Sequence, residues 1–186
     1  MKNNVILIGM PGCGKSAIGR MIAKELGMVQ VDGDDLINAH EGTKTLEEII
    51  RAHGTDYFKE LEEHILSTVE MDKTVLAPGG SVCYYPAVFD HFKQIAEVVY
   101  LEVSEEELVR RIKQGYLKRH PGKTLPSEDE VMLARGIVFK PGQDFSSLYK
   151  ERTPLYEKYT GLRLNSTGLS KEETTQRLLQ LLRELP

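Results

Sequence analysis

Val5-Ile6-Leu7-Ile8-Gly9-Met10-Pro11-Gly12-Cys13-Gly14-Lys15-Ser16 decides the fold of this chain. Its first four residues are apolar and rich in β-branched side chains. They read as a short strand buried on both faces, as in a parallel sheet. The next eight match G-x-x-x-x-G-K-[ST] at every fixed position. After Ser16, apolar residues fall at Ile18, Met21, Ile22 and Leu26, which is helical spacing, and Gly27 ends the run. Strand, glycine-rich loop and helix in that order are the setting in which this motif cradles a triphosphate. Glycines let backbone N–H groups turn inward around the anion, and the following helix aims its positive end at it. The expected ATP cradle is Gly12, Cys13, Gly14, Lys15, Ser16 and Ala17. Lys15 reaches the β and γ phosphates and Ser16 ligates Mg²⁺. Cys13 is expected to contribute its N–H rather than to act as a nucleophile.

Outward from the loop, strands alternate with helices. Further strands are read at 28–31, 74–77, 98–103 and 162–165. Helices are read at 36–39, 46–52, 56–70, 87–95, 104–114, 146–159 and 171–185. Ser104-Glu105-Glu106-Glu107 reads as a capping box. The alternation predicts an α/β fold with helices on both faces of a parallel sheet. Residues 115–145 are rich in Gly, Pro, Lys and Arg, with little periodicity, and a connection of that length suggests a lid.

The 186 residues fit one domain, 1–186. Hydrophobic residues make up 40% and charged residues 28%, as in a globular protein with a real core. A formal net charge of −4 argues against a general binder of nucleic acid or of membrane surfaces, both of which need a positive field. No apolar run approaches the roughly 20 residues needed to span a bilayer. Two cysteines, Cys13 and Cys83, fit a reducing compartment. Met1-Lys2-Asn3-Asn4 runs straight into the first strand without the features of a signal peptide, so a cytoplasmic location is expected. A monomer is expected for this fold and charge. The five histidines show no metal-ligand spacing.

Asp32 and Asp34, with Gly33 between them, stand at the carboxyl end of the second strand, the edge at which open α/β sheets bind ligands. One acid suits the Mg²⁺ shell, directly or through water. The other suits the orientation of, or proton acceptance from, an attacking hydroxyl. Asp35 reads as first-turn helix charge.

The chain resembles the shikimate kinase family, within the nucleoside-monophosphate-kinase-like group, over nearly its whole length. The resemblance rests on the phosphate loop and Asp32-Gly33-Asp34. It also rests on Phe58-Lys59-Glu60-Leu61-Glu62, Gly79-Gly80, Tyr100-Leu101-Glu102-Val103-Ser104 and Arg152-Thr153-Pro154-Leu155-Tyr156. It implies a three-layer P-loop kinase fold: a five-stranded parallel sheet, a helical substrate-binding region at about 33–62 and a mobile lid at about 115–145. It implies transfer of the γ-phosphoryl group of ATP, with Mg²⁺, to a hydroxyl of shikimate. By position, Asp32 would lie near the metal and Asp34 would bind the substrate hydroxyls. Gly79 and Gly80 would allow close approach of the substrate, and Arg152 would hold its carboxylate. Arg119 would reach from the lid toward phosphates and substrate, so Lys15, Asp34 and Arg119 form the expected catalytic set.

Lys59 stands where the family usually has the arginine that forks onto the shikimate carboxylate; the resemblance thus implies a substrate-binding role for Lys59, which keeps the charge and loses the bidentate fork. Pro78 precedes the glycines and Ser81 follows them, and 121–145 is longer than the family's lid. Two alternatives therefore stay open: a kinase of the same fold acting on another hydroxy acid or an amino-acid alcohol, and a non-catalytic nucleotide-binding module. Lys118, Lys123, Arg135 and Lys140 join Arg119 as lid cations. Tyr84 and Tyr85 read as packing residues able to wall a pocket.

Overall fold

Five parallel strands lie in the order β2-β3-β1-β4-β5: β1 Val5–Ile8, β2 Val29–Asp32, β3 Thr74–Ala77, β4 Glu97–Glu102 and β5 Leu162–Asn165. The computed structural model describes residues 2–42, 45–137 and 139–185. Every residue of β1 and β3 is buried, as expected of strands covered on both faces. β5 alternates between half-buried and exposed, and Val29 at the start of β2 is 64% exposed, as suits the two edges. The registers Ile6↔Leu76 and Ile8↔Tyr100 bring the carboxyl ends of β3 and β4 level with the end of β1. β1 is central, and the chain leaves it for β2 on one side and later crosses to β4 on the other. The phosphate loop therefore opens where the strand order reverses, the usual ligand edge of such sheets.

Helix α1 (Lys15–Leu26) packs on the sheet beside α9 (Lys171–Arg183), with Ile18, Ile22, Leu178 and Leu182 in the main core. Helices α2 (Gly33–Glu41), α3 (Leu46–His53) and α4 (Thr55–Thr68) share a separate small core of Ile37, Ile49, Leu61 and Ile65. A 3₁₀ turn at Gly80–Tyr84 leads to α5 (Pro86–Ile95). Among the described residues, no helix is long and apolar enough to cross a membrane.

Three sequence expectations change. Helix α6 (Glu105–Arg119) runs one turn further than expected, through Arg119. Its capping box is only half formed: Ser104 Oγ accepts from Glu107 N at 3.4 Å, but Glu107 turns its carboxylate to Arg110 and Arg111 at 2.6–2.8 Å. Those bonds, led by Arg110, hold Glu107 down at about 2. Reciprocal capping boxes occur instead at Ser127/Glu130 and Ser170/Glu173. The stretch 115–145 is not structureless. It contains α7 (Glu128–Leu133), and Val131, Met132 and Ile137 are buried in the main core. Helix α8 (Phe145–Tyr159) follows directly.

Candidate active site

The phosphate loop is built from backbone. Gly12 sits at φ +87, which side-chain-bearing residues rarely adopt, and a Cβ there would lie 2.7 Å from Ile112 Cγ1. Helices α2, α3 and α6 to α9 each begin on an Asp, Thr or Ser side chain that accepts from a first-turn amide. Helix α1 begins on Gly14 without such a cap, which leaves its first amides for an anion. Lys15 Nζ donates to Gly9 O at 2.8 Å and to Met10 O at 3.2 Å, so the ammonium is held over its own loop. Arg111 braces the loop from behind. It donates to Cys13 O at 3.1 Å, to Ser166 O at 2.8 Å and to Leu169 O at 3.4 Å.

Asp32 joins this loop to the acid pair. Its Oδ2 accepts from Ser16 Oγ at 2.7 Å, while Oδ1 accepts from Asp34 N and caps α2. No group of three His, Cys, Asp or Glu residues among those described is arranged to hold a metal. The Ser16–Asp32 pair would suit Mg²⁺, since that ion takes few protein ligands and completes its shell from phosphates and water. Asp34 presents its side chain at the surface of a crowded site. Restricted hydration, and then the neighbouring Asp32, raise its pKa, while Lys15 and Arg135 pull it back.

Opposite Asp34 lies Glu62 of α4, only 2% exposed. Its carboxylate accepts from Ser81 Oγ at 2.8 Å to both oxygens and from Tyr85 OH at 2.8 Å. Burial, above all, raises its pKa. Gly79 separates the two acids: a Cβ there would fall 2.9 Å from Glu62 Oε1 and 3.8 Å from Asp34 Oδ1. Gly80 separates the phosphate loop from Arg152: its Cβ would fall 2.9 Å from Pro11 Cδ and 3.2 Å from Arg152 Nη1. Arg152 stands on α8. It is half-buried beside Tyr84 and donates from Nε to the tyrosine hydroxyl at 3.2 Å.

The fold thus gathers Lys15, Ser16, Asp32, Asp34, Gly79, Gly80 and Arg152 at one edge of the sheet. Two expected residues stand apart. Lys59 is exposed and pairs with Asp56 at 3.1 Å along the same helix. Arg119 is exposed at the last turn of α6; Arg135, just beyond α7, is exposed as well, and its charge is among those that lower the pKa of Asp34. Sequence reasoning passed over Glu62, although a signal was present. Glu62 is in helical phase with Phe58, Ile65 and Leu66, and an acid on an apolar face is a buried acid. Arg111 and Tyr84 carried no comparable signal.

A phosphate loop at the switch point, a Ser–Asp pair beside it, and Asp34 and Arg152 reached across the adjacent Gly79 and Gly80 define a P-loop kinase of small molecules. The family model for shikimate kinase matches residues 11–183. A shikimate kinase of Clostridium botulinum (strain 657 / Type Ba4) is 36% identical over 157 residues, 83% of each chain. One of Synechococcus sp. (strain RCC307) is 32% identical over 181 residues, 96% of this chain and 84% of that one. The solved shikimate kinase of Acinetobacter baumannii in complex with shikimate superposes with a TM-score of 0.74 at 25% identity, covering 98% of this chain and 95% of that one. The chain belongs to the shikimate kinase family.

Proposed function

We propose that this protein is an ATP- and Mg²⁺-dependent kinase that phosphorylates shikimate, yielding shikimate 3-phosphate and ADP. The observation that carries the reading is Gly80, wedged between Pro11 of the phosphate loop and the guanidinium of Arg152. An acid anchored on Arg152 thereby has a hydroxyl within reach of the γ-phosphoryl position. The names of the relatives and the shikimate held by a structural neighbour support the same substrate.

In this reading the backbone of Gly12, Cys13, Gly14, Lys15, Ser16 and Ala17 cradles the ATP phosphates, and Lys15 turns from its loop carbonyls to the β and γ oxygens. Ser16 and Asp32 hold Mg²⁺, which when bound neutralises phosphate charge. Asp34 orients the acceptor hydroxyl and takes its proton as the new O–P bond forms and the β–γ bridge breaks. Gly79 and Gly80 admit the substrate against the backbone, and Arg152 binds its carboxylate. Positioning and electrostatics do most of the catalytic work.

Residues 115–145 act as the lid, rooted by Val131, Met132 and Ile137. Arg135, whose charge lowers the pKa of Asp34, joins Arg119 as a lid arginine directed at the phosphates. Lys59, solvated and paired with Asp56, contributes at most long-range attraction. A cytoplasmic monomer completes the reading, in keeping with the free thiols of Cys13 and Cys83.

The test is ADP release with ATP and Mg²⁺ against shikimate and a panel of hydroxy acids and amino-acid alcohols. Turnover of shikimate is expected. Turnover of another acceptor with none of shikimate sinks the substrate assignment, and ATP binding without any turnover sinks the kinase assignment.

A further inference from the structure

Arg152 is held by one neighbour in particular. Its Nε donates to Tyr84 OH at 3.2 Å, and its Cζ lies 5.1 Å from the centroid of the Tyr84 ring. The tyrosine hydroxyl has a single proton, and that proton is donated to Glu151 Oε1 at 2.8 Å. The lone pairs of the oxygen are thus left for Arg152. Glu151 is itself held in place, accepting from Lys140 Nζ at 2.9 Å and Gln143 Nε2 at 2.7 Å. Among the described residues Arg152 forms no salt bridge with a carboxylate, and neither Nη1 nor Nη2 is in a hydrogen bond. Both terminal nitrogens therefore remain as a fork, and Nη1 lies beside Gly80.

We propose that Tyr84 is a positioning residue for the acceptor's carboxylate: it occupies Nε and one face of the Arg152 guanidinium, so that the Nη1/Nη2 edge meets the acid end-on. End-on pairing through two parallel N–H···O bonds is the geometry that makes arginine selective for a planar carboxylate. Tyr84 is well placed for this task. It ends the 3₁₀ turn that starts at Gly80, and Tyr156 OH pins that turn by donating to Gly80 O at 2.6 Å. The glycine that the substrate approaches and the tyrosine that aims the arginine therefore move as one piece. With Lys59 solvated and paired elsewhere, Arg152 is the cation on which the carboxylate depends, so its aim decides acceptor affinity. The proposal rests on the kinase reading above.

The test is a double-mutant cycle of Tyr84→Phe and Arg152→Ala, with KM and kcat measured for shikimate and for ATP. Tyr84→Phe keeps the ring and removes the hydroxyl. It is expected to raise the acceptor KM about fivefold to tenfold, within the usual range for the net effect of one lost hydrogen bond, with kcat and the ATP KM within twofold of wild type. In the Arg152→Ala background the same change should leave the acceptor KM unaltered, because Tyr84 then has nothing to aim. An unchanged acceptor KM in Tyr84→Phe overturns the proposal. So does an equal loss in both backgrounds, or a matching rise in the ATP KM, since a structural role would produce either. If wild-type protein phosphorylates a different carboxylated alcohol and not shikimate, the substrate assignment fails. The cycle on that acid then decides the role of Tyr84 by the same criteria.

Discussion

Residues 9–16 and the acceptor side of the site meet at Gly80 yet are built differently. The phosphate loop presents mainly N–H groups and one ammonium from a single continuous stretch, and its shape follows from glycine dihedrals and a helix left uncapped at Gly14. The acceptor side presents side chains from α2, α4, the 3₁₀ turn and α8, brought together by bonds such as Ser81 to Glu62 and Arg152 to Tyr84. A backbone-built site reads a common chemical group, the phosphate chain. A site built of side chains reads a particular molecule, and changes there alter affinity for that molecule while nucleotide binding persists.

The largest effect should come from the one side chain on which the phosphate half depends. Lys15→Ala is expected to lower kcat/KM by roughly a thousandfold or more, as for other lost transition-state charges. A variant that keeps its wild-type rate in an ADP-release assay would remove the phosphate loop from the mechanism. Arg152→Lys should separate the halves. The acceptor KM should rise about 10- to 100-fold as the fork is lost, with the ATP KM unmoved; a parallel rise in both would erase the division.

Arg135→Gln should reduce kcat by roughly tenfold, and Arg119→Gln by less than about threefold. The pH profile adds a sign. In the proposed role Asp34 is ionised when it assists the hydroxyl, so kcat/KM is expected to fall as pH drops through its raised pKa. The positive charge of Arg135 lowers that pKa, so Arg135→Gln should move the acid limb to higher pH. A limb that stays in place, or moves down, would detach Arg135 from the site. Lys59→Ala is expected to change the acceptor KM by less than about threefold, as for other solvated pairs. A tenfold rise would return Lys59 to the carboxylate.

The same division explains what the sequence could tell. The phosphate loop is a local pattern, legible residue by residue, and so were the strands that flank it, to within a residue. Apolar alternation with helices gave the parallel sheet because burial on both faces leaves a plain mark in composition. The region 115–145 hid its order, since α7 is six residues long and its buried Val131, Met132 and Ile137 are islands in a polar stretch. Arg152 and Tyr84 are 68 residues apart, and no local periodicity announces such a pair. Lys59 was placed by its position in a motif, whereas its partner Asp56, one helical turn earlier, decides where the ammonium rests.

Arg111 joins residues made at different times. It donates to Cys13 O and, much later in the sequence, to Ser166 O and Leu169 O. Because a chain grows from its N-terminal side and a domain folds as a unit, the loop that begins at Gly9 is made well before the residues that complete its brace. Until the turn after β5 has emerged, the nascent chain carries the letters of a phosphate site without two of the three anchors of the guanidinium that stiffens it. The stiffness of the loop thus waits on the last strand of the sheet and the turn that follows it.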